Sequence, residues 1–378
     1  MLQNSTGKVE FRAQLFGMYD HRARLRGRGF ADACRSEKLE VRMKRRFLIL
    51  IVITAMLLSG CTHQEKAVSA PPAPTQEVKP DNVYNTMSET AAHYGITHEN
   101  YPRIDGSTST QGIAMAINQA MYRYLDNENL PMEVSKTVPS YKRLIAGEVD
   151  LILVPYPSAA VLALAQESGV ELEFHPVAAE ALIFITPAEN PADNITGDQV
   201  RTIYLDYGIR SWSELGGPDK ELIPICRNAD SGSQSQLDNL ILHNQPMHPK
   251  IQKNYVELTM EGMLELVAFY HHGGLDGKPT DSYALGYTLY TYLQNMNEVT
   301  EIGSRLKILS FEGVEPTEEN IAKGSYSLAD GYYGVVRKDL SAEHSARGIL
   351  KWLQSDEAAA AIKARGFIPK QDWTKLSW

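Results

Sequence analysis

From Tyr101 onward the sequence alternates between short apolar runs of strand type and stretches whose apolar residues recur at helical spacing. This alternation restricts the chain to an α/β class built from parallel β-α-β units. Residues 102–105 read as a short strand, after which Ile113, Ile117, Ala120, Met121 and Tyr124 fall on one helical face. Residues 132–134 read as a second short strand. Tyr141, Leu144 and Ile145 mark a helix closing at Gly147, and residues 149–154 read as a buried strand. A second set begins near residues 181–185, with a helix at 199–204, a strand at 222–225 and apolar stripes at Leu237, Leu240 and Ile241 and at Met263, Leu266, Val267 and Tyr270. Strands at 306–309 and 332–336 and two helices, around 349–353 and 358–362, close the chain. With about 150 residues per domain as a guide, 378 residues leave room for two such sets, each with its own core.

The N-terminal part reads as an address. Lys44-Arg45-Arg46 precedes twelve largely apolar residues, 47–58, and then Ser59-Gly60-Cys61. A basic start, a short apolar run and small residues at a cleavage point make a secretory signal peptide. Twelve residues fall short of the about 20 that a spanning helix needs. Leu58-Ser59-Gly60-Cys61 resembles a bacterial lipobox, which implies a diacylglycerol on Cys61 and an anchor in the cell membrane. The polar stretch after it contains Pro71, Pro72, Pro74 and Pro80, the composition of an extended spacer. The expected organisation is therefore a mis-assigned or dispensable extension at 1–42, with synthesis starting at Met43, and a signal peptide at 43–60. The lipidated cysteine and tether follow at 61–95. Lobe 1 is formed by 96–180 plus 306–378, and lobe 2 by 181–305.

The charge of −9 averages unlike parts. Residues 1–42 hold nine basic and five acidic side chains and residues 43–60 three basic ones, so the chain from Cys61 onward stands at −16. Such a surface disfavours nucleic acid and acidic membranes as partners. A small anion is a different matter, because the mean field is screened over about 8–10 Å at ordinary salt. Local dipoles can then decide.

Three segments sit where strands hand over to helices: Asp105-Gly-Ser-Thr-Ser-Thr110, Thr137-Val-Pro-Ser-Tyr141 and Asp230-Ser-Gly-Ser-Gln-Ser235. Helix starts present unpaired N–H groups and a partial positive charge, glycine permits close approach, and Ser/Thr hydroxyls add rotatable donors. Arg227, three residues before Asp230, offers a planar charged fork. Each start alone reads as an ordinary N-cap. Three of them with one arginine, spread over two lobes, suit an anion gripped in a cleft at strand ends.

These residues, with Leu144-Ile-Ala-Gly-Glu-Val-Asp-Leu151, Arg227-Asn-Ala-Asp-Ser-Gly-Ser-Gln234, Ala284-Leu-Gly-Tyr287 and Gly366-Phe-Ile-Pro369, resemble the phosphate-binding periplasmic-type proteins of phosphate ABC transporters, from about Tyr101 to Pro369. The resemblance implies a two-lobed periplasmic-binding-protein-like fold, each lobe a mostly parallel sheet flanked by helices, joined by crossover hinge strands. It also implies a ligand held by Ser107, Thr108 and Ser109, by Thr137 or Ser140, by Arg227, and by Ser231, Gly232 and Ser233. The family's Gly-Ser pair is not reproduced at the second loop. Nor is the carboxylate that follows the third strand and takes the proton of phosphate, since Val154-Pro155-Tyr156-Pro157 has no acid. Either Glu180 or Asp230 replaces it, or selectivity differs.

An enzyme is not indicated. Ser231-Gly-Ser233 lacks the flanking glycines of a nucleophile elbow, and no H-E-x-x-H run occurs. His243, His248 and the His271-His272 pair read as loop residues, so no metal site and no cofactor are assigned. Cys226 reads as a small buried strand residue. The expected protein is a monomeric, lipid-anchored extracytoplasmic receptor for phosphate serving an ABC permease. The alternatives are a lobed sensing lipoprotein without a transporter, or a receptor for another small oxyanion.

Overall fold

In the computed structural model the structure describes residues 86–123, 131–273 and 278–373. The chain divides into two units, Met1–Asp81 and Asn82–Trp378, and everything described belongs to the second. Cys61, the signal peptide, the extension and the proline-bearing part of the tether lie outside the described residues. The last ten residues assigned to the tether are folded. Ser88 caps the helix α1 (Glu89–His93) through its Oγ, and Met87 bridges to Tyr122.

The chain then runs through β1 (Ile104–Gly106), α2 (Gln111–Met121), α3 (Thr137–Ile145), β2 (Leu151–Pro155), α4 (Ala159–Glu167) and the long β3 (Leu172–Pro187). It continues through β4 (Asn194–Ile195), α5 (Gly197–Tyr204), β5 (Glu221–Pro224), β6 (Cys226–Arg227), α6 (Gly232–Leu237), α7 (Pro249–Asn254), β7 (Val256–Glu257) and α8 (Met260–Phe269). The last part comprises β8 (Ser282–Leu289), α9 (Tyr290–Thr300), β9 (Leu306–Ile308), β10 (Ser310–Phe311), α10 (Glu318–Ala322), β11 (Ala329–Arg337), α11 (Ser345–Leu353), α12 (Asp356–Lys363) and β12 (Ile368–Pro369).

One sheet of mixed direction organises these elements, in the order β1-β2-β11-β3-β8-β5, with β9 and β12 also on β3. The outer pairs β1/β2 and β5/β8 are parallel, as β-α-β connections require, and the central pairings of β11 and β3 are antiparallel. β3 serves both halves. Its residues Leu172 to Ala181 pair with β11, and Leu182 to Ile185 pair with β8. Pro176 cannot donate to the ladder, and the register slips there, between Tyr332 and Tyr333.

Each half has its own core. Val138, Tyr141 and Leu144 of α3 pack on Ile152, Val154, Tyr333 and Val335, and the buried Tyr141 hydroxyl donates to Pro155 O at 2.9 Å. In the other half the Tyr204 hydroxyl donates to Ile225 O and Trp212 Nε1 donates to Tyr283 O, each at 2.9 Å. Residues 132–134 form no strand. Glu133 N donates once, to Ile104 O at 2.9 Å, while its carboxylate is drawn to Arg143 at 2.6 Å. Among the described residues no helix is long and apolar enough to cross a membrane.

Candidate functional site

The first turn is built on β1. Gly106 lies so close to β2 that a Cβ there would meet Leu153 O at 2.7 Å. Ser107 N donates to Leu153 O at 3.0 Å, and the Thr110 hydroxyl reaches the same oxygen at 2.7 Å. Ser107 caps a 3-10 turn, Thr108–Thr110, that leads into α2. The Ser107 and Ser109 hydroxyls stand 3.0 Å apart, both buried, while Thr108 is exposed.

The second start, at α3, is tied to the first. Lys136 N donates to Gly106 O at 3.2 Å. Ser140 Oγ lies 2.6 Å from Lys136 O and 3.1 Å from Gly106 O, so its proton is committed to the backbone. Thr137 is buried and its Oγ1 has no partner. Asp105 holds the assembly from beneath: Oδ1 accepts from Gly106 N and Ser135 N, and Oδ2 accepts from Arg143 at 2.8 Å.

The third start comes from the other half of the sheet. Ser231 and Ser233 hydroxyls stand 3.0 Å apart at the head of α6, again buried. A Cβ on Gly232 would meet both Thr137 Oγ1 and Pro155 Cγ at 2.7 Å, and Val138 N donates to Asp230 O at 3.4 Å. The structure thus brings Ser107, Ser109, Thr137, Ser140, Ser231, Gly232 and Ser233 into one cluster across the two halves.

Arg227 stands apart from that cluster. It is 6% exposed, its Nε donates to Glu257 O at 3.0 Å, and its Nη2 lies 3.4 Å from Leu258 O. Burial pulls its pKa below the ordinary guanidinium value, with Tyr287 and Glu257 opposing. It lines a cavity of about 550 Å³ with Asn228, Gln234, Asp238 and, from the other half, Ser158 at the head of α4. Asn228 Oδ1 is buried there without a partner. Burial pushes Asp238 up to about 6, although Gln234 Nε2 donates to it at 2.8 Å. Cys226 is buried in β6, and burial raises its thiol to about 11, which makes it inert.

Residue type gives no sign of the backbone at Lys136, whereas Glu180 is already a candidate for the missing carboxylate. Lys136 has φ +78° and ψ 172°, a region that only glycine occupies at ease. Glu180, fully buried in β3, accepts Ala181 N at 2.8 Å and Thr291 N at 3.0 Å on Oε1, with the Tyr332 hydroxyl also close to its carboxyl. Burial raises its pKa. Tyr332, which interacts electrostatically with Glu180 and also neighbours Ser109, stands between this acid and the first turn. The hydrogen bond described for Asp230 is through its carbonyl, to Val138.

The description of a PBP superfamily domain matches residues 81–357. The chain belongs to the PBP superfamily. It is 27% identical over 190 residues to the phosphate-binding protein PstS of Borreliella burgdorferi, an alignment covering 50% of this chain and 63%, under two thirds, of that relative. It is 20% identical over 337 residues to PstS of Bacillus subtilis, covering 87% of this chain and 96% of the other. Among solved structures, an ABC-type phosphate transport receptor from Vibrio cholerae superposes with a TM-score of 0.51 at 21% identity, over 70% of this chain and 98% of that one. That likeness is one of fold, and the fold is two-lobed.

Proposed function

We propose that this PBP-superfamily chain is an extracytoplasmic receptor that binds phosphate and delivers it to an ABC transporter, without chemistry on the ligand. The observation behind this reading is the meeting of two buried Ser-x-Ser turns and the α3 start across the two halves. Backbone N–H groups and hydroxyls at such starts hold an oxyanion without a full counter-charge. The relatives named for phosphate binding support phosphate as that oxyanion.

The ligand residues are Ser107, Thr108, Ser109, Thr137, Arg227, Ser231, Gly232 and Ser233, with Ser140 bracing the turn. The lobes are 96–180 with 306–378, and 181–305, except that residues 306–311 go with the second. The change of partner within β3, between Ala181 and Leu182, supplies one hinge. β9 and β10 ride with the second lobe, since they pair with Ile185 to Pro187 and with β4. The chain acts as a monomer, held at the membrane by lipid on Cys61. Isothermal titration with phosphate, sulfate, a phosphonate and a carboxylate tests the reading. Phosphate is expected to bind at micromolar or tighter Kd and sulfate at least tenfold more weakly. A flat panel overturns it.

A further inference from the structure

By residue type and a Gly-rich setting, His271-His272 has the character of a solvated loop. The fold places a third donor beside them. The chain leaves β3 at Pro187 and passes Glu189, while α8 ends in a 3-10 turn, Tyr270–His272. One ligand atom from each of Glu189, His271 and His272 can be chosen so that all three lie within 4.8 Å of one another.

The spacing is informative. His271 Nε2 and Glu189 Oε2 are 3.7 Å apart, too long for a hydrogen bond. Two metal–ligand bonds of about 2.0–2.2 Å meeting at a tetrahedral angle set their donors about 3.4 Å apart, close to this gap. His272 supplies a third corner, with its ring centroid 4.0 Å from that of His271. The His271 ring is fixed edge-on against Tyr283 at 5.3 Å, and its backbone carbonyl accepts from Thr280 N at 3.0 Å. Its Nδ1 is buried without a partner, so Nε2, toward Glu189, is the ring's polar outlet. Glu189 and His272 are exposed, so an ion can enter from solvent and keep water at the fourth position.

We propose that Glu189, His271 and His272 form a binding site for a divalent transition-metal ion of the zinc class. The site lies at the entry end of β8, near Ser282, whereas β5, parallel to β8, leads at its exit end to Arg227. The ion therefore joins the segment after β3 to the segment after α8 within the second half, at the edge of the sheet away from the anion cluster. Imidazole and carboxylate donors suit zinc, copper or nickel better than calcium or magnesium.

Titration of the purified chain with zinc chloride in phosphate-free buffer tests this. One equivalent is expected to bind, with affinity reduced at least tenfold in His271→Ala, His272→Ala and Glu189→Gln and unchanged in His243→Ala and His248→Ala. Cobalt(II) should give the visible absorption of a low-coordinate site in the wild type and lose it in the same three variants. Phosphate affinity, measured separately without zinc, should be the same in all of them, so this result stands whatever the anion proves to be. Should His271→Ala fail to fold, the exposed His272 and Glu189 variants decide the matter. No zinc binding, or affinity within twofold of wild type in those two variants, overturns the proposal.

Discussion

The two Ser-x-Ser turns look alike and are held differently. Ser107/Ser109 and Ser231/Ser233 each present buried hydroxyls 3.0 Å apart at the head of a helix. The first turn is secured within its own half, by Leu153 O, Thr110 and the Asp105–Arg143 pair beneath it. The second makes its closest contacts across the cleft, with Gly232 pressed against Thr137 and Pro155. One turn is therefore braced within its own half and the other against the opposite half, so the proposed closure on a ligand would act on the second.

Glycine substitutions separate the two roles. In Gly106→Ala the new Cβ would stand 2.7 Å from a backbone oxygen that cannot move away, so the fold itself should suffer. Overpacking of this kind costs about 1–3 kcal/mol, and urea unfolding should show a loss toward the upper end. In Gly232→Ala the clash is with the opposite half. Because separating the halves would relieve that contact, unfolding should lose less than in Gly106→Ala, while phosphate affinity falls thirtyfold or more, about 2 kcal/mol. If both variants lose stability alike and affinity alike, the contrast between the turns is wrong.

Arg227 asks whether the second turn works with a charge. Its guanidinium now donates to the carbonyls of Glu257 and Leu258, at the edge of the cavity. If it reaches the anion, Arg227→Ala should weaken binding by more than tenfold, about 1.4 kcal/mol. Affinity within twofold of wild type in a titration would mean that it only braces β7.

Burial raises the pKa of an acid in each half, Glu180 behind the first turn and Asp238 at the far end of the helix that the second turn starts. For Asp238 the folded value is about 6, against about 3.9 in the unfolded chain. The folded state thus holds the proton more tightly, and wild-type stability should fall as pH rises between about 4 and 6, then stay lowered. Asp238→Asn keeps an acceptor for Gln234 and cannot ionise. It should be about 1 kcal/mol more stable than wild type at pH 8, well inside the about 3 kcal/mol that two pKa units allow, and equal to it below pH 4. A gap that persists at pH 3.5 would assign the effect to packing.

Much of this arrangement was legible in the sequence, for physical reasons. The α2, α3 and α8 stripes follow helical periodicity, and Ser107 caps its turn as its type suggests, whereas Thr137 and Ser231 make no side-chain cap bond. What stayed hidden depends on distant partners. β3 is a continuous 16-residue strand because β11, β12, β8 and β9 line both of its edges, whereas the sequence shows only its apolar middle. Residues 132–134 have strand composition, but Arg143 claims Glu133 and only one ladder bond forms. The commitment of the Ser140 proton to backbone and the turning of Arg227 toward β7 are facts of side-chain direction. Residue type and spacing do not encode them.

The smallest expected effect concerns a strained position in the first lobe. Lys136, at φ +78° and ψ 172°, opens α3 in a conformation that a side chain resists; such residues cost about 1–3 kcal/mol and persist where their surroundings overdetermine them. Here the constraint is the bond from Lys136 N to Gly106 O together with Ser140 reaching back to Lys136 O. The resemblance to phosphate receptors places a Gly-Ser pair at this loop, and this chain departs from it. Lys136→Gly relieves the strain but frees the unfolded chain, which takes back about 0.5–1 kcal/mol. The net expected from chemical unfolding is a gain of about 0.5–1 kcal/mol, with phosphate affinity reduced no more than threefold. A stabilised variant with intact binding would show that the strain belongs to the rigid turn and is not used for closure. If the variant is stabilised and affinity collapses, the Lys136 backbone is part of the grip, and the division between a fixed turn and a closing turn must be redrawn.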